Sequence, residues 1–192
     1  AFNFITDQIE KGVEAAQKFQ VQISLIRTLS QENQQSFAQW GAQVRGVSDR
    51  TGVDVNKVGE AFYNTISNQV AKGPDVAPFV EKMATLAKVT GSDLPDATNA
   101  VTATLNAYGL SAKDADVVSA ALFRTIDEGR IVMSEVANTI GRVNVLAANM
   151  GVSFQEVDAI LAITTQKGFK TSDAMTLLTN LLIKLEKPTE AT

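Results

Sequence analysis

Glycines at regular intervals limit the length of every element that this chain can form beyond Val47. Successive glycines lie about 20 residues apart, at Gly52, Gly73, Gly91, Gly109, Gly129, Gly151 and Gly168. Several precede a residue that can cap a helix, such as Asp54, Asp93 or Ser111. The apolar residues between the glycines recur at i, i+3, i+4 or i+7, which is typical of helices that share a core. The pattern therefore predicts an all-α fold, with a compact bundle of about six to seven short helices over residues 48–188.

The N-terminal segment has a different period. Apolar or small residues alternate at spacings of three and four from Phe2 to Val47, and no proline interrupts them. This heptad pattern predicts a long, coiled-coil-like helix over residues 1–47. Its predicted seam with other copies of the chain comprises Phe2, Ile5, Ile9, Phe19, Ile23 and Ile26. The seam turns polar at Ser30 and Asn33, which either set the register of one continuous helix or mark a break between two helices.

Two helices joined by a glycine turn are predicted near the end of the chain. Ser153 and Glu156 have the spacing of a capping box, so the first helix begins after Ser153. Gly168 separates the two helices, Pro188 ends the second, and residues 189–192 begin a continuation. The predicted members of this core hairpin are Gly151, Ser153, Glu156, Leu161, Gly168, Ala174, Leu178, Leu181, Leu185 and Pro188. The leucines of the second helix share one stripe, and we expect them to be buried against the preceding helices.

The composition excludes several classes of functional site. The chain has no cysteine and no histidine, so thiolate or imidazole metal sites and catalysis of the Ser-His-Asp or Cys-His type are impossible. Carboxylates such as Asp96 and Asp114 lie where a helix N-terminus favours negative charge. The net charge of −4 argues against binding nucleic acid by neutralising phosphates. We therefore predict a non-enzymatic protein without metal or cofactor sites and without specific nucleic-acid binding.

The core hairpin resembles the core region of phage tail tape measure proteins. The matched residues keep their order across both helices, and they are residues 151–153 (Gly-Val-Ser), Glu156, Ala162, Lys167, Gly168, Ala174, Thr176, Leu178, Leu181, Leu185 and Pro188. The segment Ile163-Thr164-Thr165-Gln166-Lys167-Gly168 is similar to the Ala-x-x-Thr-x-x-Gly piece typical of that region. The resemblance extends more loosely upstream to about Val47. Each matched residue has a structural role, so the resemblance identifies a fold family better than a chemical activity.

The resemblance implies a structural function. Tape measure proteins occupy the lumen of a phage tail, set the length of the tail tube during assembly, and leave ahead of the DNA at infection. The implied partners are other copies of the chain, as a trimer or hexamer, together with the tail tube, tail tip or baseplate hub proteins, and tail assembly chaperones. The implied location is the virion, in the tail tube lumen or at the tail tip, and the host cytoplasm during assembly. Membrane contact would belong to other parts of a longer parent chain.

Two other functions stay open at the level of the sequence. One is an all-α adaptor or oligomerisation module of a cellular protein that binds partner helices. The other is a fragment of a muralytic enzyme, since some tape measure proteins carry a separate domain that cuts peptidoglycan. The Glu-Ser pair followed by Gly-Leu-Met-Gln that such domains resemble does not occur in this sequence.

Overall fold

The structure, a computed structural model, describes residues 2–29 and 36–186, with side chains from Ile9 onward within those ranges. These residues form helices and no strand. The helices are α1 (Phe2–Leu29), α2 (Phe37–Thr51), α3 (Val55–Ser67), α4 (Val76–Thr90), α5 (Leu94–Ala107), α6 (Ala115–Glu128), α7 (Met133–Asn149), α8 (Phe154–Gln166) and α9 (Thr171–Glu186). Single 3-10 turns at Gly73–Asp75 and Ala112–Asp114 precede α4 and α6. The predicted all-α fold class is confirmed.

Capping residues start several of these helices, as the sequence predicts. The Ser153 Oγ atom accepts from the Glu156 N–H at 3.3 Å, and Glu156 Oε2 accepts from the Ser153 N–H at 2.8 Å. Ser111 and Asp114 form the same type of box before α6. Asp54 Oδ1 accepts from two backbone N–H groups in the first turn of α3. These bonds satisfy amides that have no partner within their own helix.

A further capping box shows how the N-terminal heptad pattern divides. Ser36 Oγ accepts from the Gln39 N–H at 3.3 Å, and Gln39 Oε1 accepts from the Ser36 N–H at 2.7 Å, so α2 begins as a new helix. Of the two alternatives that the sequence leaves open, the structure shows the break between helices. The heptad pattern over residues 1–47 therefore covers two helices. Ser30 and Asn33, its polar positions, lie outside the described residues.

The contacts between helices divide the chain into two compact units, residues 1–81 and residues 82–192. The sequence predicts a boundary after Val47 instead. The difference arises because α3 packs against both α1 and α2, so these three helices share one core in unit 1. In unit 2, α7 contacts α5, α8 and α9. The central helix of unit 2 is therefore α7.

The core of unit 1 is built from large side chains of its first three helices. Trp40 of α2 and Phe62 of α3 are fully buried, and their rings pack edge to face with centroids 6.3 Å apart. Ile23 and Ile26 of α1 are also fully buried. Aromatic rings in this arrangement stabilise a core beyond the area that they bury.

In unit 2, α5 and α7 approach each other closely through small residues. A Cβ atom added to Gly141 would lie 3.3 Å from the Ala103 Cβ atom, so the two backbones are near contact there. A buried polar pair lies in the same interface, where Asn144 Nδ2 donates to Thr104 Oγ1 at 2.9 Å. The Thr104 hydroxyl in turn donates to the Ala100 carbonyl at 2.9 Å. Because a buried polar group is costly without its partner, this pair favours one alignment of α5 against α7.

Two hydrogen bonds join the beginning of α9 to the beginning of α7. The Val132 N–H donates to Thr171 Oγ1 at 3.3 Å, and the Ser172 N–H donates to Glu135 Oε2 at 3.1 Å. Glu135 thus places a carboxylate at the N-terminus of another helix, where the helix dipole favours negative charge. Both bonds join residues that are far apart in the sequence.

The buried face of α9 differs in part from the predicted stripe. Ala174 and Leu178 are buried as expected, but Leu181 and Leu185 are 49% and 57% exposed. The prediction that these two leucines are buried is therefore wrong for this chain by itself. Leu182, a further leucine of the predicted stripe, is buried, because α9 packs against both α7 and α8 along the row that contains it. Pro188 lies outside the described residues.

Candidate assembly surface

Residues 9–18 of α1 are exposed on all sides. Every residue from Ile9 to Lys18 is exposed, and the apolar Ile9 and Val13 side chains are 62% and 52% exposed. Gly12 and Ala16, which continue the heptad pattern, are exposed as well. A helical segment that buries none of its side chains has little to stabilise it, because isolated helices shorter than about 12–15 residues are marginal in water. This segment has the properties of a surface that requires a partner.

The second half of α1 is fixed within unit 1 along one face. Ile23 and Ile26 are fully buried, and α1 packs along α3. The helices meet closely at Gly59 of α3, where an added Cβ atom would lie 3.3 Å from the Gln22 Cβ atom. Ile23 and Ile26 are therefore occupied within the chain and are not available to other copies in this fold. Their burial contradicts the prediction that these two residues belong to a seam between copies.

The other predicted seam residues have different environments. Ile9 is exposed, whereas Phe19 is half-buried and lies 5.3 Å, measured from its ring centroid, beneath the Arg45 guanidinium group. The side chains of Phe2 and Ile5 lie outside the described residues. Association of copies through the N-terminal part of this seam stays a prediction.

A separate apolar row follows on the second half of α1. Val21, Leu25 and Leu29 lie four residues apart and are each exposed. No charged residue occurs from Phe19 to Ile26. Depletion of charge is the compositional property that distinguishes the centre of protein interfaces from other surfaces. The helix thus presents more apolar surface than unit 1 covers.

The charges of α1 permit two copies to lie side by side. Its sequence contains three acidic and three basic residues, so the helix has no net charge. Glu14 and Lys18 form an exposed ion pair at 2.7 Å with the i, i+4 spacing of a helix, and the Lys18 ammonium holds the pKa of Glu14 below its usual value. Such exposed pairs contribute little to stability. The helix therefore carries no overall charge that would repel a second copy.

Within the described ranges, the carboxylates outside α1 are not grouped as metal ligands. No group of three or more potential metal ligands occurs there. Glu156 and Asp114 bind helix N-termini, and their Ser153 and Ser111 partners lower the pKa of each.

None of the helices in the described ranges is sufficiently long and apolar to cross a membrane.

Asp158 is a buried carboxyl group that the sequence reasoning did not identify. It lies on the buried face of α8 with Val157 and Leu161, and burial raises its pKa to about 7. The available signal was its position, since Asp158 follows Phe154 by four residues and precedes Leu161 by three. A charged residue within an apolar helical stripe indicates either a buried partner or a neutralised group.

Comparisons with known proteins agree with the resemblance noted in the core hairpin. The family model described as "Phage-related minor tail protein" matches residues 41–192. The chain is 26% identical over 182 residues to the "Tape measure protein" of Pneumococcus phage Dp-1, covering 94% of this chain and 16% of that relative. It is 28% identical over 177 residues to the "Probable tape measure protein" of Clostridium phage phiCD119, covering 91% of this chain and 19% of that relative.

The chain therefore spans less than a fifth of the length of either relative. No solved structure matches it. The family model covers most of the chain, including all of unit 2 and the part of unit 1 from Gly41 onward. The predicted resemblance to tape measure proteins is confirmed, and the chain belongs to the family of phage-related minor tail proteins.

Proposed function

We propose that this chain is a structural segment of a phage tail tape measure protein, which sets the length of the tail tube and leaves ahead of the DNA. Membership of the tail protein family supports the structural role, and the names of both relatives support the tape measure role. A molecular ruler needs a constant rise per residue. The 28 residues of α1 extend about 42 Å at 1.5 Å per residue.

The observation that carries the proposal is the exposed stretch of α1 at residues 9–18. Ile9 and Val13 are apolar and uncovered, and the small Gly12 and Ala16 would let neighbouring helices approach closely. We propose that copies of the chain associate in parallel through this segment, as a trimer or hexamer inside the tail tube. Because α1 has no net charge, no overall charge repulsion opposes its association with a second copy.

The two compact units give the chain a second proposed role. The helices α2 to α9 have 13 to 17 residues each. Short helices folded against each other span less length per residue than one extended helix, so the units would serve for docking rather than for measurement. The proposed docking partners are the tail tube, the tail tip or baseplate hub proteins, and the tail assembly chaperones. The proposed locations are the virion, in the tube lumen or at the tail tip, and the host cytoplasm during assembly.

The segment is proposed to act without catalysis. Its sequence has no histidine or cysteine, and the carboxylates of Asp54, Asp114 and Glu156 accept hydrogen bonds at helix N-termini. Groups engaged in this way serve the fold, because they satisfy backbone amides.

Sedimentation equilibrium of the 192-residue chain tests the association. We expect the unchanged chain to form trimers or hexamers and the Ile9→Asp/Val13→Asp variant to be monomeric, because two charges would lie in the interface. The matched control is Val117→Asp, which changes an equally exposed valine of unit 2 and should leave the association intact. A monomeric unchanged chain, or association that survives the double substitution, would contradict the proposed surface.

Tail length tests the ruler role in the intact phage. Duplicating the 28 residues of α1 in the phage gene should lengthen the tail by about 42 Å if they lie extended in the tube. Electron microscopy of the particles measures the change. Assembled tails of unaltered length would refute a measuring role for this helix.

A further inference from the structure

Asp158 brings a carboxyl group into the contact between α6 and α8. Its side chain is only 5% exposed. It lies in an apolar helical stripe, where a charged group is unfavourable. Its Oδ2 atom has no hydrogen-bond partner among the described residues. A buried oxygen that carries charge without a donor costs far more than a neutral one. The surroundings of Asp158 therefore suit a neutral carboxyl group.

The hydroxyl group of Thr125 is compatible with a neutral Asp158, although its hydrogen bond by itself lowers the pKa of that carboxyl group. Thr125 of α6 is the side chain whose hydrogen bonding acts on the Asp158 carboxyl group. Its one hydrogen is directed at the Ala121 carbonyl, at 2.8 Å, and a threonine hydroxyl has no second hydrogen to donate. A protonated Asp158 can donate to Thr125 while this bond persists. An ionised Asp158 needs Thr125 to rotate and give the bond up.

The charged groups around Asp158 do not compensate for its ionisation. Arg124 and Glu128 of α6 line the cleft beside it, but both are exposed to solvent. Glu156 on its own helix is also exposed. Tyr108 at the end of α5 is uncharged at neutral pH, since burial, Asp158 and Glu156 raise its pKa to about 12.

The remaining helices that pack on α8 contribute no buried charge among the described residues. The buried residues of α7 are Met133, Val136, Ile140, Val143, Asn144 and Ala147. Those of α9 are Thr171, Ala174, Met175, Leu178 and Leu182. Burial consequently dominates the behaviour of the group. It raises the pKa of Asp158 to about 7, and the contact with Thr125 offsets this only in part.

We propose that the contact between α6 and α8 is a proton-dependent joint, in which loss of the Asp158 proton loosens α8 from α6. The closed joint holds the proton more tightly than an open one, where the carboxyl group is in water. Closure is therefore most favourable at low pH, weakens as the pH rises from about 4 towards 7, and levels off above 7. Between pH 5.5 and pH 8.0 this linkage raises the equilibrium constant for opening about 30-fold.

Hydrogen exchange of the intact chain, read by mass spectrometry, measures this opening. After correction for the intrinsic pH dependence of exchange, protection of α8 amides in the unchanged chain should fall about 30-fold from pH 5.5 to pH 8.0. The Asp158→Asn variant, which is neutral at both pH values, should keep the protection constant. Peptides from α3 in unit 1 serve as the internal reference and should not change in either protein.

The matched control is Asp127→Asn, which neutralises an exposed aspartate of α6. It should retain the pH dependence of the unchanged chain. Equal protection of α8 at the two pH values in the unchanged chain would overturn the proposal, whatever the variants do. It would also be overturned if Asp158→Asn showed the same loss of protection as the unchanged chain.

Discussion

Leu178 and Leu181 of α9 provide a direct test of which face of this helix is buried. The two residues are 4% and 49% exposed, although they are the same residue type on the same helix. Replacing either by alanine changes helix propensity equally, so any difference in stability reports burial. Truncating a buried leucine such as Leu178 costs about 2–5 kcal/mol, which combines lost transfer energy with the cavity left behind.

The expected cost at Leu181 is much smaller. Complete burial of a leucine is worth about 2 kcal/mol, so a half-exposed side chain forfeits about 1 kcal/mol, and solvent fills the space without a cavity. The free energies of unfolding of Leu178→Ala and Leu181→Ala should therefore differ by about 2 kcal/mol. With a denaturant slope of about 2 kcal/mol per molar urea, the midpoints should lie about 1 M apart.

Urea unfolding followed by circular dichroism at 222 nm measures both midpoints. The sequence has one tryptophan, Trp40, and it is buried in unit 1, so its fluorescence reports unit 1 in the same samples. Equal losses at Leu178 and Leu181 in dilute protein would refute the assignment of the buried face. A loss at Leu181 that grew with protein concentration would instead show that another copy covers it.

Three further substitutions test local features of unit 2. Ser153→Ala should destabilise the chain by about 1 kcal/mol through loss of the cap of α8, measured by thermal melting; an unchanged melting temperature would contradict the capping role. Gly129→Ala should be destabilising although its backbone is extended, because the new Cβ atom would lie 2.7 Å from the Thr125 carbonyl oxygen; urea unfolding at the level of the unchanged chain would show that this contact relaxes. Glu156→Gln should lower the melting temperature more at pH 7 than at pH 3, because hydrogen bonds from Ser153 lower the pKa of Glu156, so its contribution is complete above its unfolded pKa and is lost on acidification. Equal effects at both pH values would refute that linkage.

Features that depend on neighbours in the sequence could be read without the structure. The boxes at Ser111 and Ser153 each involve residues three positions apart, so their spacing alone predicts the bonds that start a helix. The positive φ of 73° at Gly151 follows equally from its place after a helix, where glycine adopts that conformation at low cost. The resemblance of the core hairpin also rests on such local positions, which explains why it identified the family.

Other features required knowledge of which helices meet. The heptad pattern placed Ile9 and Ile23 in one seam between copies, but α3 covers Ile23 within the same chain and leaves Ile9 exposed. The pattern also could not show that Glu135 would bind the N-terminus of α9, since 37 residues separate it from Ser172.

The sequence by itself determined the helices beyond Val47, several of their caps, and the family, because hydrogen bonds within a helix and its caps join residues five or fewer positions apart. The tertiary structure alone decided which apolar face is covered. An amphipathic stripe specifies that a surface must be buried, but only the approach of α7 and α8 selects Leu182 over Leu181. Likewise, only the packing of α6 against α8 decides that Asp158 is buried, and this burial raises its pKa to about 7.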